Sequence, residues 1–155
     1  MKKKKVFVTV GSTKFDELVQ VIDEIAKDSK FEVAFQIGRG EYTPKNGKWF
    51  RYDPNIRKWY KWADIVVCID SAGTLFENLE LGKKIIAVRH MWSKGVDDLG
   101  KKLEELGFII FIKADNKNEL KRKLMAKLNS KIKLKKYKKS KCEIHKQIIN
   151  FLKEA

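Results

Sequence analysis

The stretch Ile65-Val66-Val67-Cys68-Ile69, followed by Asp70-Ser71-Ala72-Gly73-Thr74-Leu75-Phe76-Glu77, decides the fold. Five consecutive apolar residues, four of them β-branched, read as a central parallel strand covered on both faces. The small and hydroxyl residues that follow read as a tight turn, Gly73 to Leu81 as a helix, and Gly82 as its stop. A helix opening directly after a buried strand presents free amide hydrogens and the positive end of its dipole, an arrangement suited to an anion.

The same alternation runs outward in both directions. Lys5 to Val10 reads as a strand closed by Gly11, and Leu18, Val21, Ile22 and Ile25 form one helical stripe. Phe31 to Ile37 reads as a strand ending at Gly38, Arg39 to Lys48 as a loop, and Trp49 to Tyr52 as a short strand. Asp53-Pro54 starts a helix that runs to about Trp62, because proline at the first helical position lacks only an amide hydrogen that has no partner there. Ile85 to Val88 is a further strand. Val96, Leu99, Leu103 and Leu106 then mark a helix stopped by Gly107, and Phe108 to Ile112 is the last strand. Two helices close the chain, on Leu120, Leu124 and Leu128 and on Ile144, Ile148 and Leu152. Strands separated by such helices form βαβ units, so the expected fold is α/β: a Rossmann-like open parallel sheet with helices on both faces. Length and composition predict a single domain over 1–155, with a Lys-rich helical C-terminal segment at about 117–155.

Charge narrows the partners without choosing one. The formal net charge is +15, from 35 basic and 20 acidic residues. Residues 117–155 hold 14 Lys/Arg against Glu119, Glu143 and Glu154, or +11 of that total. Lys131 to Lys141 carries seven lysines with Ile132, Leu134 and Tyr137 between them, a pattern that fits an anionic membrane surface or a solvated helix face with three core contacts. Nucleic acid is not expected, because aromatic residues for base stacking are not interleaved through the lysine run, where Tyr137 stands alone. Cys68 and Cys142 lie far apart without metal-ligand spacing, and no DxD-like metal signature occurs, so neither a metal nor another cofactor is expected. With no apolar run of about 18 residues, the chain is expected neither to cross a membrane nor to be exported, and a reducing cytoplasm is expected.

In open parallel sheets, ligands bind beyond the carboxyl ends of the strands. Three loops occupy such places: Gly11-Ser12-Thr13, Ser71-Ala72-Gly73-Thr74, and His90 to Gly95. The second outlines a diphosphate site. Glu77, three residues after Thr74, lies on the same helical face and can accept hydrogen bonds from a ribose. The same spacing also fits a helix capped by Thr74 with Glu77 completing a capping box. His90 is the candidate general base within the chain, although a lone histidine more often caps or lies on the surface; His145 falls in the terminal helix.

Trp62-Ala63-Asp64-Ile65-Val66-Val67-Cys68, then Ser71 to Thr74 with Glu77, then Gly82-Lys83-Lys84, resembles the C-terminal domain of family 28 glycosyltransferases. Val8-Thr9-Val10-Gly11-Ser12-Thr13 with Phe15-Asp16, and Gln36-Ile37-Gly38 with Tyr42 and Pro44-Lys45-Asn46, are similar to the small soluble subunits of that family. The likeness spans Val6 to about Ile112. It implies one half of a two-domain GT-B glycosyltransferase and a UDP-sugar, with UDP-GlcNAc the expected donor, bound across the strand ends. Ser71, Ala72, Gly73 and Thr74 would hold the diphosphate, Glu77 the ribose, and the backbone at Tyr52 and Asp53 the uracil. Gly11, Ser12, Thr13 and Gly38 would border the cleft shared with the other half. The resemblance further implies a membrane-associated protein that binds a lipid-linked acceptor and supplies the base. The subunit would then sit at the cytoplasmic face of the membrane and turn over little alone.

Two departures from the family pattern stand out. Ile69-Asp70-Ser71 replaces a His-Ala-Gly or Ser-Gly sequence, and Gly95-Val96 replaces a His-Gln pair whose Gln contacts the sugar. Asp70 is expected to point away from a phosphate site, since its charge would repel the ligand. The second departure leaves open a degenerate domain that serves as a regulatory or scaffold subunit.

Overall fold

The computed structural model of the chain describes residues 2–28, 30–90, 98–140 and 144–154. The expected loop from Met91 to Gly95, the Gly95-Val96 pair and the side chain of His145 lie outside that description. Six strands, β1 (Lys4–Thr9), β2 (Phe31–Gln36), β3 (Lys48–Phe50), β4 (Ile65–Ile69), β5 (Lys84–Val88) and β6 (Ile110–Ile112), form one sheet in the order β3-β2-β1-β4-β5-β6. Every pairing is parallel. The described helices are α1 (Asp16–Ile25), α2 (Arg57–Trp62), α3 (Ala72–Glu80), α4 (Asp98–Glu105), α5 (Lys117–Asn129) and α6 (Ile144–Glu154).

Residue alternation along the strands builds two cores. Val6 and Val8 of β1, Ile65 and Val67 of β4, and Ile86 and Val88 of β5 pack beneath α1 and α5. Phe7, Val66, Cys68, Ile85 and Ala87 point the other way, against Tyr60 of α2, Leu75 and Leu79 of α3 and Leu103 of α4. This two-sided burial is why the central strands read as unbroken apolar runs. Phe7, completely buried, stacks with Phe50 at 6.1 Å and Trp59 at 5.9 Å, while Phe50 and Trp59 lie 5.1 Å apart. Each such aromatic pair adds about 0.5–1.5 kcal/mol beyond area burial. Together they fix α2, and with it the Tyr52–Ile56 loop, to the sheet.

β1 and β3 lie one or two residues earlier than expected, at Lys4–Thr9 and Lys48–Phe50, and larger differences occur at three places. α2 begins at Arg57 rather than at Asp53-Pro54, because the Asp53 carboxylate accepts the Asn55 amide at 2.9 Å and forms a turn in place of a first helical turn. β6 begins at Ile110 rather than Phe108, whose amide instead donates to Leu103 O at 3.0 Å and closes α4. The segment at 117–155 is not helical throughout. After α5 an extended strap crosses the amino ends of the strands. Ile132 enters the α1/α5 core, Lys135 N donates to Gly107 O at 2.9 Å, and Tyr137 packs on Phe76 and Phe108 on the opposite face. Its inward residues Ile132 and Leu134 alternate with lysines at a period of two, which suits extended backbone.

Candidate functional site

The chain turns away in opposite directions after β1 and β4, the neighbouring strands at the centre of the sheet, and this opens a crevice at their carboxyl ends. There a cleft of about 210 Å³ is lined by Thr9, Gly11, Ser12, Gln36, Tyr52, Asp53, Pro54, Ile56, Tyr60 and Thr74. Two larger hollows, about 550 and 470 Å³, open at the amino ends, among Lys2 to Lys4, Asp64 and Lys131 and among Lys27, Glu32, Lys48 and Trp62. The smaller cleft is the better candidate, because strand carboxyl ends and helix starts point their donors there.

A buried polar network holds the first loop. Thr9 and Gln36, 2% and 5% exposed, are joined by a 3.2 Å hydrogen bond from Thr9 Oγ1 to Gln36 Oε1. Gly11 N donates to Thr9 Oγ1 at 3.1 Å, and Gln36 Nε2 donates to Gly11 O at 3.3 Å. Sequence reasoning missed both residues; the available signal was a polar residue closing each strand directly after an apolar run, Val6–Val8 in β1 and Val33–Phe35 in β2. Gly38 is buried behind the loop rather than lining the cleft. Its φ is 54°, and a Cβ added there would lie 2.3 Å from Thr13 O and 2.7 Å from Gly11 O, so only glycine fits. Thr13 is committed to the turn, donating through Oγ1 to Val10 O at 2.7 Å.

The second loop opens α3. Ser71 is the N-cap in extended conformation, and the first intrahelical bond is Leu75 N to Ser71 O at 2.9 Å. The amides of Ala72, Gly73 and Thr74 therefore precede any intrahelical acceptor. Thr74 is the third residue of the helix, so the capping-box reading of Thr74 and Glu77 does not hold. Ala72 and Gly73 are exposed, and a Cβ on Gly73 would meet nothing within 4 Å. Glu77 pairs with Arg57 at 3.3 Å, which brings α2 and α3 together at the rim. Below it, burial pushes the Tyr60 phenol up and the Glu77 carboxylate adds to this, while the Thr74 hydroxyl and Asn78 amide act in the opposite sense.

Asp53 has its side chain engaged with α2: Lys58 Nζ lies 2.6 Å from Oδ2, and Trp59 Nε1 donates to Oδ2 at 2.9 Å. The hydrogen bond from Lys58, then those from Trp59 and the Asn55 amide, hold this carboxyl down at about 2. Asp70 faces α4, its Oδ2 3.0 Å from where a Cβ on Gly100 would lie. His90 stands apart from the cleft lining. Its Nε2 lies 2.9 Å from Lys14 O, and its ring lies 4.4 Å from the buried Phe15 ring. A carbonyl can only accept, so Nε2 carries the proton and His90 anchors the start of α1 to the end of β5.

A second carboxylate organises the loop before β3. Asp23, 2% exposed on α1, accepts from Tyr42 Oη at 2.6 Å, Asn46 N at 2.8 Å and Lys45 N at 3.1 Å. Burial alone would raise its pKa, but these hydrogen bonds outweigh it and hold the carboxyl low, while Tyr42 is pushed up to about 12, chiefly by its bond to Asp23. Arg51 adds bonds to Gly38 O at 3.2 Å and Gly40 O at 2.7 Å.

The structure thus brings Gly11, Ser12, Tyr52, Asp53 and Thr74 to one cleft, with Glu77 and the exposed start of α3 beside it. The family model for the glycosyltransferase family 28 C-terminal domain matches residues 5–150. The chain is 29% identical over 126 residues to the UDP-N-acetylglucosamine transferase subunit ALG13 of Mus musculus, covering 70% of this chain and 10% of that protein. It therefore spans about a tenth of the length of the curated relatives it matches. MurG of Acinetobacter baumannii superposes with a TM-score of 0.65 at 18% identity, over 83% of this chain and 42% of that one. The solution structure of ALG13 superposes with a TM-score of 0.61 at 18% identity, over 86% and 89% of the two chains.

Proposed function

Because the chain belongs to the glycosyltransferase family 28 C-terminal domain family, we propose that it is the donor-binding subunit of a two-component glycosyltransferase. The donor is a UDP-sugar, with UDP-GlcNAc expected, and the acceptor is lipid-linked. The observation that carries the reading is the meeting of Gly11-Ser12, Tyr52-Asp53 and Thr74 on one cleft at the β1/β4 divide, beside the uncovered start of α3. A curated relative described as a UDP-N-acetylglucosamine transferase subunit supports the choice of donor.

In this reading the diphosphate lies against the amides of Ala72, Gly73 and Thr74, the ribose hydroxyls donate to Glu77, and the uracil rests on the backbone at Tyr52 and Asp53. Transfer breaks the bond between the sugar C1 and the diphosphate oxygen, and the acceptor hydroxyl oxygen takes that place on C1. UDP leaves with added negative charge, which the start of α3 stabilises through amide hydrogens and dipole without a cofactor. The base that takes the acceptor proton comes from the second, membrane-associated protein, since His90, held to Lys14 O through Nε2, does not line the cleft. Such a subunit works at the cytoplasmic face of the membrane, and alone it binds donor with little turnover.

Titration calorimetry with UDP tests the proposal. Glu77→Ala should weaken binding about tenfold, the loss of one hydrogen bond to a charged acceptor. Its melting temperature should hardly change, because the Arg57 pair is solvent-exposed and such pairs are worth under about 1 kcal/mol. Thr74→Trp should abolish binding. A wild-type chain that does not bind UDP, or that binds equally well with both substitutions, removes the reading.

A further inference from the structure

Several cations beside the cleft are spent on the protein itself. Arg39 Nε donates to Ser12 O at 3.0 Å, Arg51 donates to Gly38 O and Gly40 O, and Lys58 Nζ lies 2.6 Å from the Asp53 carboxylate. Arg57 is held differently. It is the first residue of α2, half of its side chain is exposed, and its described side-chain contact is with another ionised group, Nη1 to Glu77 Oε1 at 3.3 Å. An exposed pair of this kind favours the paired state by less than about fivefold, so Arg57 is cheaply released.

The pair also fixes where the guanidinium stands. Ile56 and Tyr60 on one side and Thr74 on the other line the cleft, and Arg57 and Glu77 bridge α2 and α3 at its rim. Glu77 follows Ala72–Thr74 by three to five residues, or about 5–7 Å along the axis at the rise of an α-helix. Its side chain leans back toward those amides, because the Cα–Cβ bond of a helical residue tilts toward the helix start. A guanidinium on Glu77 is therefore about one turn from the first amides of α3, a distance that rotation of the long arginine side chain can cover. A diphosphate on those amides offers more negative charge than one carboxylate and oxygens that match the planar fork of arginine. Such charge-assisted bonds strengthen binding about ten- to hundredfold, which exceeds the preference for Glu77.

We propose that Arg57 is a further donor-binding residue: Glu77 holds it beside the start of α3 until the ribose takes its place on the carboxylate, and it then turns onto the diphosphate. There it meets the charge that builds on UDP as the sugar bond breaks. This rests on the donor reading above and adds to it a side-chain cation and an exchange of partners. Titration calorimetry with UDP and chemical-shift titration with uridine, which has the ribose but no phosphate, test it. Arg57→Gln should weaken UDP binding about ten- to hundredfold. Uridine should bind that variant as tightly as the wild type, or up to about fivefold more tightly, because Glu77 has lost a competing partner. Arg57→Lys keeps the charge without the planar fork and should recover only part of the UDP affinity. Equal weakening of UDP and uridine by Arg57→Gln would mean that Arg57 merely supports the cleft wall, and the proposal fails. It fails too if Arg57→Gln binds UDP like the wild type while Glu77→Ala does not, and in that case the donor reading stands. A wild-type chain that does not bind UDP removes both.

Discussion

Gly73→Ala separates stability from binding at a single position. Gly73 is the second residue of α3, its φ is not positive, and a Cβ there meets nothing within 4 Å, so nothing in the folded chain requires glycine. Glycine in a helix costs about 0.5–1 kcal/mol relative to alanine, and removing that cost from a chain of this size raises the melting temperature by about 1–4 °C. The proposed diphosphate occupies the same open space. A methyl group there pushes phosphate oxygens off the Ala72–Thr74 amides, and one lost charge-assisted hydrogen bond of about 1.5–3 kcal/mol corresponds to about ten- to hundredfold weaker UDP binding. Differential scanning calorimetry and titration calorimetry on the same preparation read both effects. A stabilised variant with unchanged UDP affinity would refute the placement of the diphosphate, and a destabilised variant would refute the open start of α3. Gly38→Ala provides the contrast: its Cβ would press on Thr13 O and Gly11 O, so melting temperature and affinity should fall together.

Three further outcomes follow from the carboxylates that organise loops and from the buried thiol. Asp23→Ala leaves the Tyr42 hydroxyl and the Lys45 and Asn46 amides without their acceptor; a loss of about 3 kcal/mol, or about 6–12 °C in melting temperature, is expected by calorimetry. Asp53 has a folded pKa depressed to about 2 from 3.8, so its stabilising contribution is complete above pH 3.8 and disappears as pH falls towards 2; acid titration of Asp53→Asn, followed by circular dichroism, should show a shallower decline across that window. Cys68, fully buried with its thiol pushed up to about 12 by burial and then by Asp70, should resist iodoacetamide at pH 8 until the chain unfolds, as peptide mass spectrometry would read.

The sequence by itself determined the α/β architecture, the order of the elements and the loops on which a site could form. It did so because burial on both faces forces unbroken apolar runs such as Ile65–Ile69, and helices packed on a sheet must repeat their apolar residues every three or four positions. The starts of α2 and β6 moved because single hydrogen bonds set them. The Asp53 turn delays α2, and the Phe108 amide is taken by α4. Tertiary structure alone decided which loop residues reach the cleft. Gly38 and Gly11 are 27 residues apart in sequence yet almost touch, because β1 and β2 are neighbours, and this turns Gly38 from a contact candidate into the support of a loop. Thr9, Gln36 and Asp23 were missed for the same reason: a buried polar side chain is recognisable only by partners that the chain brings from elsewhere, and sequence spacing carries no record of them.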